Sequence, residues 1–483
     1  MNQIFLASTF FGAMNLATAI DEGHFGDSAG HTRTLLVSTN SIIPEATKPL
    51  DEMPGAARIL GRFDRVINWN RVLAPFHPSQ FRSIGDPMIT ARWLKAYLGI
   101  DDVPVELILE SVQVPPASTL LSLFADSPIT VYSDGLMSYG PTRVQLSPRD
   151  GDRIERLLHL DLIPGLEPLL LSEFSVPRVP FGRRQFTNVV REVASDAPAA
   201  DELVPALRDG GRTALVLGQY LSPLGLVSWK EEVGLYANMV RLCAEAGFER
   251  VVFKPHPTAP ETSWGALAKA AESEGIDFMV LSESISLEHL LTEWSPDIVT
   301  GCFSTGLLIA GEFFGLPTAR LGTEFVLERL EPFENSNRIP LVLTDAYVRA
   351  LDSARASSEG GEFALQSIAL AVGYAMQPSV LAARRAEVVR ILDQGSVGFP
   401  QKYLPLDRVA DLGLPGAPPS MKWRAKSAGS VVFARASGFG RRYPSLARPY
   451  RAARRVSSPT TKKIAERMPN RLVRYSRAAR AQS

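Results

Sequence analysis

Three short stretches carry residue types capable of chemistry, and they follow one another along the chain. The first is VYSDGLMSYGPTR, in which Asp134 and Gly135 close an apolar run. Glycine permits a sharp turn there, so the carboxylate can face a substrate hydroxyl and accept its proton, or instead cap the next helix. The second is VVFKPHP at 251–257. Its first four residues favour a buried strand, and Pro255 and Pro257 then stop it, because proline has no N–H for the ladder and fixes its own φ. His256 is thereby held at the C-terminal end of a strand, the edge where open α/β sheets bind ligands. An imidazole there can meet a phosphate, move a proton, or merely lock a tight loop; Lys254 adds a cation beside it. The third is TGCFSTGLLIAGEFFGLP, where Ser304, Thr305 and Gly306 follow a strand and open an apolar helix. Hydroxyls and unpaired N–H groups at a helix start form an anion site, although the same pair also reads as an ordinary N-cap. Gly218 and Gln219 end another apolar run, at a point where a nucleotide can approach.

The bulk numbers bound what these stretches belong to. A chain of 483 residues is too long for one ordinary core and implies two or three domains. Hydrophobic content of 45% with no apolar run near the ~20 residues of a membrane span describes a soluble globular protein. Cys243 and Cys302 make neither a disulfide framework nor a zinc cluster, which points to the reducing cytoplasm. The apolar stretch at 4–20 lacks Lys or Arg ahead of it, as a signal peptide requires, and reads instead as a strand, a turn at Gly12 and a helix. His24, His31, His159 and His289 show no metal-ligand spacing to one another, and the D-x-D at Asp150–Asp152 reads as solvated surface.

A formal net charge of zero hides an asymmetry. Residues 422–483 hold 17 of the 51 basic residues and one of the 51 acidic ones, so the rest of the chain carries a net −16. An acidic body with a basic tail implies an electrostatic task for the tail.

Elements must position the three motifs, and the chain supplies them in a strand-then-helix rhythm. Strands are expected at 4–8, 34–39, 65–69, 105–110 and 129–133, then a polar Ala/Pro/Gly-rich boundary near 195–211. The rhythm restarts with strands at 213–217, 250–254, 277–281, 297–301, 318–321 and 341–343. Helices are expected at 229–246 and 264–274, with a helical stretch over 346–394. This predicts an α/β protein of two Rossmann-like domains facing a cleft, as in GT-B glycosyltransferases: 1–195 on the acceptor side, 196–395 on the donor side, and a basic tail over 396–483.

The ordered set, an acid-Gly in the first half followed by His-Pro and a Ser/Thr pair in the second, resembles the bacterial sialyltransferases and polysialyltransferases. EPLLLSEF after HLDLIPGL, with DGLMSYGPTR upstream, is similar to their actinobacterial branch. The resemblance covers roughly residues 1–395. It implies an inverting, metal-independent enzyme that takes a CMP-activated nonulosonic acid as substrate, needs no cofactor, and serves a cell-surface glycan acceptor. That family's acid-acid-Gly motif stands here as Ser133-Asp134-Gly135, without its first acid, so the base moves to Asp134. Its His-Pro maps to His256-Pro257 at the donor phosphate, and its Ser-Ser/Thr to Ser304-Thr305. Glu110-Ser111, ending the fourth strand, either lines the acceptor side or is a buried cap, and His77 is either an acceptor contact or a loop lock.

The tail, with aromatics between its basic residues, fits the anionic inner face of the plasma membrane, where a lipid-linked acceptor would lie, or is simply a solvated disordered tail; no nucleic-acid module accompanies it. Two rivals stand beside this reading: a CDP-glycerol-type glycerophosphotransferase, and a catalytically idle glycan-assembly protein.

Overall fold

Runs such as IFLA, ELIL, ITVY and ALVL are apolar on both faces, the pattern of parallel strands covered by helices on each side. In the computed structural model they build two all-parallel sheets. The structure describes residues 1–417 except 42–43, 84, 101–102, 134, 197–204, 206, 209–210, 257–263, 282–284, 352–363 and 395–398. The expected boundary near 195–211 therefore lies largely outside the described residues, and the basic tail lies outside them from residue 418 onward.

The first sheet contains β1 (Asn2–Ala7), β2 (Thr32–Val37), β3 (Arg65–Asn68), β4 (Val105–Leu109), β5 (Ile129–Ser133), β6 (Ile154–Leu160) and β7 (Arg178–Phe181), in the order β3-β2-β1-β4-β5-β6-β7. The second contains β8 (Thr213–Leu217), β9 (Arg250–Lys254), β10 (Asp277–Val280), β11 (Ile298–Gly301) and β12 (Thr318–Arg320), in the order β10-β9-β8-β11-β12. Each sheet has the 3-2-1-4-5 order of a Rossmann fold, with its reversal between β1 and β4 or between β8 and β11.

Local chemistry sets the helix ends. Thr9 caps α1 (Phe10–Asp21) by accepting the Gly12 N–H, so the turn expected at Gly12 is instead the first turn of that helix. Asp86 caps α2 (Pro87–Leu98), whose proline stands at the first position and whose end is Gly99 at φ 63°. Further along come α3 (Arg183–Ser195) and α4 (Trp229–Glu245), the latter opened by a Ser228/Glu231 capping box. The remaining helices used below are α5 (Leu287–Glu293), α6 (Thr305–Leu308) and α7 (Arg338–Tyr347).

The expected strand at 341–343 is a correction: those residues lie inside α7, with Pro340 in its first turn, where proline is tolerated. The helical stretch beyond it is broken into Leu365–Met376 and Arg385–Gln394. Two strands went unforeseen, β6 and β7. Both sheets belong to one compact unit, Met1–Val409 with Leu414–Gly416. Within it, α3 follows the first sheet in sequence but packs against α1 and α5. Its Phe186 ring makes edge contacts with Phe11 at 5.6 Å and Phe313 at 5.5 Å.

Candidate functional site

At the reversal point of the second sheet, the chain leaves β8 through Gly218. Its N–H donates to the Lys254 carbonyl at 2.8 Å. A Cβ there would stand 2.9 Å from Phe253 Cζ and 3.2 Å from both Lys254 O and Pro255 Cα, so glycine lets this loop lie directly on the KPHP turn. Gln219 then spans the reversal point, its side-chain oxygen accepting the Phe303 N–H from the loop after β11 at 2.9 Å.

Behind the loop lies a buried acid that the sequence reading missed. The Glu232 carboxylate accepts the N–H groups of Leu221 (3.1 Å) and Ser222 (2.7 Å), and the Tyr236 hydroxyl at 2.8 Å. That hydroxyl in turn accepts the Gln219 N–H at 2.6 Å. One buried carboxylate thus shapes residues 218–222, since charge-assisted bonds to backbone N–H groups are the strong ones. Its only sequence signal was the i, i+4 spacing of Glu232 and Tyr236 on a helix beside Gly-Gln.

Lys254 and His256 occupy the neighbouring strand end. The half-buried Lys254 ammonium donates to the Ile285 carbonyl at 2.6 Å. Burial lowers its pKa to about 8 against the opposing pull of Glu288, and Glu288, buried on α5, is itself raised by burial. The His256 ring stacks on Tyr220, with centroids 5.7 Å apart and planes at 21°. Burial, and then the Lys254 charge, push its pKa down to about 4. At neutral pH this imidazole is uncharged, with a hydrogen on one ring nitrogen and a lone pair on the other, while Lys254 supplies the positive charge. Pro257 lies outside the described residues.

Ser304 caps α6 by accepting the Gly306 N–H at 3.1 Å, an arrangement that leaves its own O–H as a donor. The helix continues into a π turn at Ile309–Phe313. Gly306 packs where a Cβ would be 2.4 Å from Leu287 Cδ2 and 3.0 Å from Leu217 Cδ1, so a larger residue would push this helix start off β8.

The two halves meet at this helix start. Gly135, extended at φ −160°, lies so near that a Cβ on it would be 3.2 Å from Thr305 Oγ1. The structure therefore brings the acid-Gly motif onto the Ser/Thr motif; Asp134 itself lies outside the described residues. In the first sheet, the Glu110 carboxylate after β4 accepts the Ser8 N–H at 3.1 Å and the Ser8 hydroxyl at 2.6 Å. These bonds bridge the ends of β1 and β4 just as Gln219 bridges those of β8 and β11. Ser8 was not foreseen as a site residue.

Other sequence candidates fall elsewhere. His77 holds a loop, with Nε2 2.8 Å from the Ser41 carbonyl and Nδ1 2.7 Å from Ser79 Oγ. Asp150 is not simply solvated surface: it is half-buried, 2.9 Å from Arg153 and 2.7 Å from the Ser147 hydroxyl. Cys302 is fully buried, as a small core residue would be. Among the described residues, no group of three or more His, Cys, Asp or Glu is placed to hold a metal, and no helix is long and apolar enough to cross a membrane.

Two parallel Rossmann-type sheets within one compact unit, brought together at Gly135 and Thr305, give an α/β fold of the GT-B type. Residues 3–323, more than half of the chain, match the family described as alpha-2,8-polysialyltransferase (POLYST), and the chain belongs to that family; it is a glycosyltransferase. No curated protein matches it. Among solved structures it is similar to a 2,6-sialyltransferase of Photobacterium sp. JT-ISH-224 in complex with CMP and lactose, at 14% identity and TM-score 0.41, covering 72% of this chain and 78% of that one. It is also similar to the GT-B domain of a Photobacterium damselae sialyltransferase, at 12% identity and TM-score 0.38, covering 73% and 99%. A third is MurG of Acinetobacter baumannii, at 11% identity and TM-score 0.37, covering 72% and 85%.

Proposed function

We propose that the chain is an inverting, metal-independent transferase that moves a nonulosonic acid such as sialic acid from its CMP-activated form to a hydroxyl of a cell-surface glycan. The observation that carries this reading is the approach of Gly135 to Thr305, which sets the acid-Gly turn of one half on the Ser/Thr turn of the other. Asp134, next to Gly135 in sequence, takes the proton of the acceptor hydroxyl. The hydroxyl oxygen bonds to the anomeric carbon from one side as the bond to the phosphate oxygen breaks on the other. The bonding pair departs with CMP, and the configuration inverts. The leaving phosphate is held by the Lys254 ammonium, the neutral His256 imidazole, the Ser304 hydroxyl and the Thr305 N–H. Gly218 and Gln219 form the floor for the nucleotide. A monophosphate needs less neutralisation than a diphosphate, and one lysine with several N–H and O–H donors matches that demand. The acceptor is lipid-linked and lies at the inner face of the plasma membrane, to which the basic tail is drawn.

Thermal-shift binding of CMP, CDP, UDP and UMP, with His256→Ala as control, tests the reading, because a ligand that binds only the native state raises the melting temperature. The expected result is stabilisation by CMP that is lost in the variant. Preference for CDP moves the assignment to a glycerophosphotransferase, a uridine response overturns the donor class, and silence toward all four nucleotides leaves an idle glycan-assembly protein.

A further inference from the structure

A helix on the surface of a globular protein ordinarily shows solvent a polar arc. Helix α2 does not. Its inward arc sends Leu94 and Leu98 into the core of the first sheet beside Trp69. Its outward arc, at 100° per residue, is Met88, Ile89, Arg92, Trp93, Ala96 and Tyr97. Five of those six are apolar, and Met88, Ile89, Trp93 and Tyr97 are 76%, 67%, 57% and 44% exposed. Trp93 and Tyr97 stack on one another, centroids 5.9 Å apart at 17°, which joins them into one flat aromatic surface.

We infer that this arc is a docking face for an anionic lipid surface. Contiguous exposed apolar groups mark an interaction site, and the composition identifies the partner. Tryptophan and tyrosine favour the level of lipid headgroups, where an apolar ring body and a polar tip are both accommodated. The charges beside them are basic: over 82–98 Arg82, Arg92 and Lys95 face a single acid, Asp86. That acid is engaged in capping, its carboxylate accepting the Met88 N–H at 2.8 Å. A helix of this kind lies in the plane of the interface with its apolar arc among the acyl chains and its cations at the phosphates. The 17 basic residues of 422–483 call for an anionic counter-surface as well. A second copy fits less well, because a twofold contact through this arc would set Arg92 near its twin. The inference is independent of the donor assigned above.

The test is co-sedimentation of the full chain with phosphatidylcholine vesicles with and without phosphatidylglycerol, comparing the native chain with Ile89→Ser/Trp93→Ser. The native chain is expected to bind the phosphatidylglycerol vesicles, and the double variant to lose about tenfold or more of that binding at an unchanged melting temperature. Brominated acyl chains separate the helix from the tail: quenching of tryptophan fluorescence in the native chain is expected to fall in Trp93→Phe. Undiminished vesicle binding by the double variant together with undiminished quenching in Trp93→Phe overturns the inference. So does a native dimer that the double variant converts to monomer with no change in lipid binding, which assigns the arc to a second copy.

Discussion

The two halves share one strand order, and each has a side chain bridging the strand ends at its reversal point, yet the bridges are opposite in character. In the first half the bridge is an acid, Glu110, gripped by Ser8. In the second it is a neutral amide, Gln219, receiving the Phe303 N–H, with Lys254 beside it. The same scaffold thus offers negative charge on one side and donors on the other. A transfer between a hydroxyl and a phosphate ester needs that division: an acceptor for the proton on one face, donors for the departing oxygen on the other. Fold alone assigns neither task; in the function proposed above the residues at the strand ends take them.

Substitutions can break this division or sharpen it. The largest effect is expected from Asp134→Asn, which should lower the transfer rate about a thousandfold while the CMP-induced thermal shift survives. Loss of that shift in Asp134→Asn would mean that the acid side also holds the nucleotide. His256→Ala should cost about a hundredfold in rate and weaken CMP binding as well, measured by initial rates beside calorimetric titration. Glu110→Gln should raise the acceptor KM about tenfold and leave the nucleotide titration unmoved. For Glu232→Gln the expected loss is about 2 kcal/mol in denaturant unfolding, because an amide N–H₂ then faces backbone N–H groups. A further effect concerns pH. Burial holds the folded His256 near pKa 4 against an ordinary 6.5. As pH falls through that window the unfolded chain takes up a proton that the folded chain refuses, so stability declines from pH 6.5 toward 4. His256→Gln should show a shallower decline in melting temperature over that range.

Much of this was legible in the residues. Apolar runs recurring in a strand-then-helix rhythm located ten of the twelve strands, and the order of the three motifs carried the family. What escaped has physical reasons. In β6, IERLLHL interrupts its apolar run with Glu155, Arg156 and His159, and β7 contains Pro180, which a strand tolerates because β7 is the sheet edge. PLVL in α7 is too short for its apolar run to separate a buried helix from a buried strand. The roles of Glu232 and Ser8 depend on contacts between distant segments, and Ser8 meets Glu110 across 102 positions of sequence. No local pattern encodes such a pairing.

The placement of α3 bears on how such enzymes can be recombined. Although it ends the first half in sequence, its Arg183 donates to the Glu312 carbonyl and its Phe186 meets Phe313, both from the second half. A chimera that grafts a relative's second half onto this first half at residue 196 would keep α3 and its contact with Phe11 while replacing Glu312 and Phe313. A crossover moved upstream of α3 would instead sever its contact with Phe11, so either junction has to carry residues that match α3 on both of its faces.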